Sequence, residues 1–107
     1  MEKRWNERKH VQINAMINSS ETLISGKTHN ISMGGMYLKI APGINIRSRH
    51  AINVSLSDGD DTVTFQSTII RIDEDGLALK FSNYSPEMLS LLRRLLDDEA
   101  DTQTRLH

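Results

Sequence analysis

The stretch AINVSLSDGDDTVTFQSTIIRIDEDGLALKF, residues 51–81, decides the fold. Apolar residues recur there at alternate positions, as in strands with one buried face: Ile52, Val54 and Leu56 at its start, and Leu77, Leu79 and Phe81 at its end. Two acidic tetrapeptides that contain glycine, DGDD at 58–61 and DEDG at 73–76, mark hairpin turns. The stretch therefore predicts three successive antiparallel strands, and the middle strand runs from about residue 62 to residue 72.

The chain before this stretch shows the same pattern. VQINAMI at 11–17 alternates cleanly between apolar and polar positions, which predicts a half-buried strand. A second strand is predicted over 22–29, and GMYLKI at 35–40 restarts extended structure. Pro42 and Gly43 then break it.

The period of the pattern changes near the carboxy end. Ser85 can cap a helix that begins at Pro86. Apolar residues then recur at helical spacing: Met88, Leu91, Leu92, Leu95 and Leu96. Such a stripe is far more often a core contact than a ligand site. The elements together predict a mainly β fold, either an antiparallel sandwich or a small barrel, with one helix packed against it.

The composition is that of one ordinary globular domain. Its 107 residues suit a single core, with 37% hydrophobic and 25% charged residues. The chain has no cysteine, which excludes disulfides, thiolate catalysis and cysteine-ligated zinc. No apolar run is long enough to cross a bilayer or to form the core of a signal peptide, so a cytoplasmic protein without membrane insertion is expected.

The positions of the charged residues are more informative than the net charge. A net charge of −1 argues against a protein that coats polymeric nucleic acid, since such binding needs a broad basic face. Four basic residues nevertheless crowd the first ten positions: Lys3, Arg4, Arg8 and Lys9. A small local positive site suits a small anion.

Two short segments are not required by the fold: RWNER at 4–8 and NISMGG at 30–35. Each has an ordinary explanation, because arginines on a tail are usually solvated and Asn and Ser in a turn often bond their own backbone. Together, in this order and at this separation, they resemble the PilZ domain family. The pattern of that family is Arg, three residues, Arg, and after one strand pair Asp or Asn, one residue, Ser, two residues and Gly. The segment 67–81 also resembles the closing hairpin of the family.

The resemblance implies a six-stranded antiparallel β-barrel with a carboxy-terminal helix that binds the bacterial second messenger cyclic di-GMP. Arginine suits that ligand, since its planar fork can bond phosphates and guanine edges and can stack on purine faces. By this resemblance Arg4 and Arg8 contact phosphates and guanines, Asn30 contacts a guanine edge, and Ser32 contacts phosphate or base. Gly35 would provide a positive φ or a close approach of backbone to ligand. Three further residues are weaker candidates for ligand contact: Lys3, Gly34 and Arg71.

The resemblance also suggests how the protein would work. Residues 1–10 form a flexible basic arm that becomes ordered over the ligand, residues 11–99 form the barrel and its helix, and residues 100–107 form a disordered tail. The loaded form would act on an unidentified effector protein in motility or biofilm formation. No catalytic motif is present, and the four scattered histidines show no metal-ligand spacing, so neither an enzyme nor a metal site is expected.

Two other functions stay open. One is a protein–protein adaptor for pilus or flagellar assembly that binds no nucleotide. The other is a barrel for single-stranded nucleic acid, which is disfavoured because such barrels use several stacking aromatics and this chain has only five aromatic residues.

Overall fold

The computed structural model describes residues 8–19, 22–42 and 50–105. These residues form six strands and one helix in the order that the sequence predicts. The elements are β1 (Asn14–Ser19), β2 (Thr22–Ile31), β3 (Gly35–Ile40), β4 (Ala51–Asp58), β5 (Asp61–Asp73), β6 (Gly76–Phe81) and α1 (Pro86–Arg105).

The strands close into a barrel in which every neighbouring pair is antiparallel. Their order around the barrel is β1, β2, β3, β6, β5, β4, and β1 closes the ring by pairing with β4. Ile17 on β1 accordingly lies opposite both Ile24 on β2 and Val54 on β4. The predicted six-stranded antiparallel barrel with one carboxy-terminal helix is therefore confirmed, and it is the barrel rather than the sandwich that forms.

Alternation in the sequence becomes alternation in burial. On β1, Ala15 and Ile17 are buried whereas Asn14 and Met16 are exposed. The inward side chains form one hydrophobic core, whose largest fully buried strand residues are Ile17, Ile31, Met36, Leu38, Leu56, Phe65, Ile69, Leu77 and Leu79. Because burying one such side chain contributes about 1.5–3 kcal/mol, this core is the main force that holds the barrel together.

Both acidic turns join strands as hairpins. β4 ends at Asp58 and β5 begins at Asp61, and Gly59 at the tip of this turn has φ of 66°. Glycine adopts that left-handed conformation without the steric penalty that a side chain adds. The second hairpin turns through residues 74–75, between β5 and β6.

The helix begins where the sequence predicts. The Ser85 hydroxyl accepts a hydrogen bond from the Met88 amide at 3.1 Å, which satisfies one of the free donors of the first turn. Met88, Leu91, Leu92 and Leu96 are buried in the barrel core, so the apolar stripe is a core contact.

The helix ends later than predicted. It continues to Arg105, so residues 100–105 are helical where the sequence predicts a disordered tail. The segment after Pro86 contains no further proline and no glycine, so nothing in the local sequence stops the helix. Among the described residues, no helix is both long and apolar enough to span a bilayer.

Candidate functional site

The candidate site is an open cleft of about 370 Å³ on the barrel wall. Polar side chains from β2, β3, β5 and the segment before β1 line it: Arg8, His29, Asn30, Tyr37, Arg71 and Asp73. Ile70 and Ala78 complete the lining. The cleft therefore brings together residues from both segments that the sequence singles out.

Cross-strand register assembles the wall of this cleft. Asn30 on β2 lies opposite Tyr37 on β3, Tyr37 lies opposite Ala78 on β6, and Ala78 lies opposite Arg71 on β5. The register shifts at both ends of this row, between Thr28 and Asn30 and between Ile69 and Arg71. Such bulges re-aim side chains and are frequent beside functional sites.

Backbone pairing places Arg8 at the cleft. Lys9 and Ile31 exchange two hydrogen bonds, each of 2.9 Å, so the end of the predicted arm is paired with β2. Arg8 Nη1 then donates to Asn30 Oδ1 at 2.6 Å. The structure thus joins the second arginine of one segment to the first residue of the other, across 22 positions of sequence. Lys3 and Arg4 lie outside the described residues.

The contact with Arg8 fixes the orientation of the Asn30 amide. A guanidinium only donates hydrogen bonds, so the amide oxygen must face Arg8 and the Nδ2 group is left to donate elsewhere. The amide is also neutral, and no acidic side chain described among residues 8–19, 22–42 and 50–105 is paired with the positive charge of Arg8. An anion in the cleft would meet that charge together with further N–H donors.

Ser32 occupies the inside of the turn between β2 and β3. It is only 4% exposed, and its hydroxyl accepts the amide hydrogens of Gly34 and Gly35, both at 3.2 Å. The same hydroxyl donates to the Gly35 carbonyl at 3.3 Å. In this structure Ser32 therefore orders the turn, which is the ordinary explanation that the sequence left open, and its contact with a ligand stays a prediction.

The two glycines are also held by the barrel. A Cβ on Gly35 would overlap the carbonyl oxygen of Leu79, so this glycine lets β3 approach β6 closely. The positive φ that was one expectation for Gly35 is not found, since among the described glycines only Gly59 has one. The close approach seen here is to a strand, and a close approach to a ligand stays a prediction. Gly34 accepts a hydrogen bond from the Phe81 amide at 2.9 Å.

Arg71 belongs to a hydrogen-bonded cluster at the far end of the row. Its Nε and Nη2 donate to the two carboxylate oxygens of Asp73, both at 3.2 Å. Its Cζ lies 5.7 Å from the centre of the Tyr37 ring, and the Tyr37 hydroxyl donates to Asp73 at 2.6 Å. Arg71, one of the weaker candidates for ligand contact, therefore lies in the same cleft as Arg8 and Asn30. Its contact with a ligand stays a prediction.

These contacts shift the ionisation of their members. The hydrogen bonds from Arg71 and then Tyr37 lower the pKa of Asp73 below its usual 3.8. The hydrogen bond to Asp73, with burial, raises the pKa of Tyr37 above 10.0. The hydrogen bond to Asp73 also raises the pKa of Arg71. Around neutral pH the cluster therefore consists of a carboxylate, a guanidinium cation and a neutral phenol.

Three residues of the cleft are not among the candidates predicted from the sequence: Tyr37, Asp73 and His29. Tyr37 falls within a predicted strand and Asp73 at the start of a predicted turn, so the local sequence gives no reason to assign either of them to a site. The ring of His29 lies 6.1 Å from that of Tyr37, nearly perpendicular to it. Only the pairing of β2, β3, β6 and β5 shows that these side chains share a surface.

With this geometry established, comparison with known proteins identifies the family. A family model described as PilZ domain matches residues 2–98, and the chain belongs to this family. No curated protein sequence matches it significantly.

Solved structures show the same fold. The PilZ domain of CeSA from a cellulose-synthesizing bacterium superposes with a TM-score of 0.72 at 14% identity, over 88% of this chain and 98% of the other. The PilZ domain of YcgR from Escherichia coli, solved with c-di-GMP, gives 0.70 at 17% identity, over 92% and 95%. The inhibitor of motility MotI/DgrA of Bacillus subtilis gives 0.71 at 19%, over 88% of this chain and 50% of that longer protein.

Proposed function

We propose that this protein is a non-enzymatic receptor for cyclic di-GMP in the bacterial cytoplasm. The observation that carries the proposal is the 2.6 Å contact between Arg8 and Asn30, which joins the two family segments at one cleft. Membership of the PilZ domain family supports it, as does the fold shared with a YcgR domain solved with c-di-GMP.

The chemistry of the cleft fits this ligand. Cyclic di-GMP carries two phosphates and two guanines, so it offers many acceptors: phosphate oxygens and the O6 and N7 atoms of guanine. Arg8 supplies a cation that the neutral Asn30 amide does not balance and that suits a phosphate, and Asn30 Nδ2 supplies a donor for a guanine acceptor. Arg71 supplies a flat cation for a purine face. We assign Arg4, and more weakly Lys3 and Gly34, to the same ligand.

The signal would pass through the amino-terminal arm. Lys9 already pairs with Ile31, so a ligand held by Arg8 would draw the preceding basic residues onto the barrel. The ordered arm then presents a new surface to an effector protein in motility or biofilm formation. This relay needs no catalytic step.

Titration calorimetry with cyclic di-GMP tests the proposal. Wild-type protein should release heat, and Arg8→Ala should weaken binding by roughly 5- to 150-fold, which corresponds to about 1–3 kcal/mol for a lost bidentate contact. Arg8→Lys should recover only part of the loss, because an ammonium cannot form the fork. Arg93→Ala is the matched control, since it removes an exposed cation from α1 and should change nothing.

Failure of the wild-type protein to bind would overturn the receptor proposal. That result would favour the adaptor function, in which a PilZ barrel contacts protein partners without nucleotide.

A further inference from the structure

We infer that Tyr37 and Asp73 are positioning residues that hold Arg71 as a preassembled flat surface for one purine base of the ligand. The inference rests on the proposed function, and it adds two residues that lie outside both family segments. Neither residue needs to touch the ligand, since each acts through Arg71.

Hydrogen bonds to Asp73 restrict the orientation of the Arg71 guanidinium. Asp73 accepts from Nε and Nη2 through separate oxygens, which is the two-point geometry that restricts rotation of a planar fork. The Tyr37 hydroxyl donates to one of these oxygens at 2.6 Å and so restrains the carboxylate in turn. Arg71 is therefore fixed by a carboxylate that is itself fixed by a phenol.

The Tyr37 ring lies next to the Arg71 guanidinium. Arg71 Cζ lies 5.7 Å from the ring centre, within the range of a cation–π contact. His29 packs edge-on against the same ring, with centroids 6.1 Å apart. The Arg71 side chain is still 64% exposed, so a ligand can reach it.

Two small residues make room for this arrangement. A Cβ on Gly76 would overlap the hydroxyl and ring atoms of Tyr37, so the ring lies in space that only glycine leaves open. Ala78 separates Tyr37 from Arg71 in the cross-strand row, and its methyl group lets the longer side chains meet over it. The hairpin between β5 and β6, which the sequence predicts as a simple turn, therefore also provides the space that the Tyr37 ring occupies.

The ion pair with Asp73 makes Arg71 chemically different from Arg8, the other arginine of the cleft. Asp73 balances the charge of Arg71 and uses two of its donors, whereas the partner that the described part of the chain gives Arg8 is the neutral amide of Asn30. Arg8 therefore suits a phosphate, and Arg71 suits the face of a base, where planarity matters more than net charge. Because Arg71 is already ordered, ligand binding loses less side-chain freedom.

A double-mutant cycle tests this inference with cyclic di-GMP as the probe. Tyr37→Phe keeps the ring and removes only the hydroxyl, so it should weaken binding by roughly two- to tenfold, as expected for one hydrogen bond. Asp73→Asn should act in the same direction. In an Arg71→Ala background, Tyr37→Phe should have no further effect, because the residue that it positions is gone.

The outcomes separate this inference from the proposed function. Normal binding by Tyr37→Phe and Asp73→Asn, with normal circular dichroism and a wild-type protein that binds, would overturn the positioning role alone. Equal losses from Tyr37→Phe with and without Arg71 would also overturn it, since they would show that Tyr37 acts independently. A wild-type protein that does not bind would overturn both.

Discussion

Ser32 and Gly35 shape the turn between β2 and β3 from within, whereas Arg8 and Asn30 face the cleft. The Ser32 hydroxyl is occupied by backbone groups of the turn, and Gly35 lies against the backbone of β6. The family segment therefore combines residues that build the turn with a residue that is available to a ligand. Substitutions of Ser32 or Gly35 should therefore lower the stability of the fold, whereas substitutions of Arg8 or Asn30 should weaken ligand binding.

Gly35→Ala should destabilise the fold. Its Cβ would overlap the Leu79 carbonyl oxygen, so β3 and β6 would have to move apart. We expect the free energy of unfolding, measured by urea denaturation, to fall by about 1–3 kcal/mol, as for other overpacked sites. Gly59→Asn is the control, since a Cβ there meets nothing within 4 Å and asparagine tolerates a positive φ. Equal stability of both variants would contradict the close approach.

Asp73→Asn should lower the pKa of Tyr37 towards 10.0, because the hydrogen bond to the carboxylate is the main cause of its rise. The raised pKa means that the contact stabilises the fold below pH 10 and is lost as pH rises through the folded-state value. Tyrosinate absorbance follows this titration. A Tyr84→Phe background leaves Tyr37 as the only tyrosine, since the chain has two. An unchanged pKa would show that Asp73 does not hold the phenol.

At the scale of elements, the turn of residues 32–34 is tied to the start of α1. The Tyr84 hydroxyl donates to the Met33 carbonyl at 2.7 Å, and the Phe81 amide donates to Gly34. Burial raises the pKa of Tyr84, so the phenol stays a donor over the whole neutral range. Ser85, the next residue, caps the helix. The turn beside the cleft and the helix start therefore form one connected unit.

Removal of the helix cap tests the stability of this unit. Ser85→Ala deletes the acceptor of the Met88 amide and should lower the free energy of unfolding by about 1 kcal/mol, as for other caps. Ser85→Asp supplies a new acceptor and should restore most of the loss. Chemical denaturation of the three proteins is the measurement. A Ser85→Ala variant as stable as wild type would show that the cap contributes nothing.

The sequence was sufficient for the elements but not for their assembly. Alternation in residues 51–81 and the two acidic turns are local signals, and the strands followed them closely. The pairing of β1 with β4 that closes the barrel is long-range and has no local signal. The position of Arg71 beside Tyr37 depends on two strand registers and a bulge, which no pattern of apolar residues specifies. The contact of Arg8 with Asn30 could be expected only from the family resemblance.

At the scale of the molecule, the clefts that the described residues form include two of similar size with different chemistry. The cleft of Arg8, Asn30 and Arg71 has a volume of about 370 Å³ and is cationic and aromatic. The other, of about 350 Å³, is lined by uncharged side chains, with four amides among them: Asn18, Asn53, Gln66 and Asn83. A ligand with two phosphates should choose the first of these two, because its lining includes cations and that of the other does not.

Amide spectra of the isotope-labelled protein, recorded during addition of cyclic di-GMP, test the central claim most directly. The receptor account predicts that signals of Arg8, Asn30, Tyr37 and Arg71 shift together and saturate, while those of Asn53 and Gln66 stay in place. Spectra that do not respond, or shifts confined to the amide-lined cleft, would contradict it.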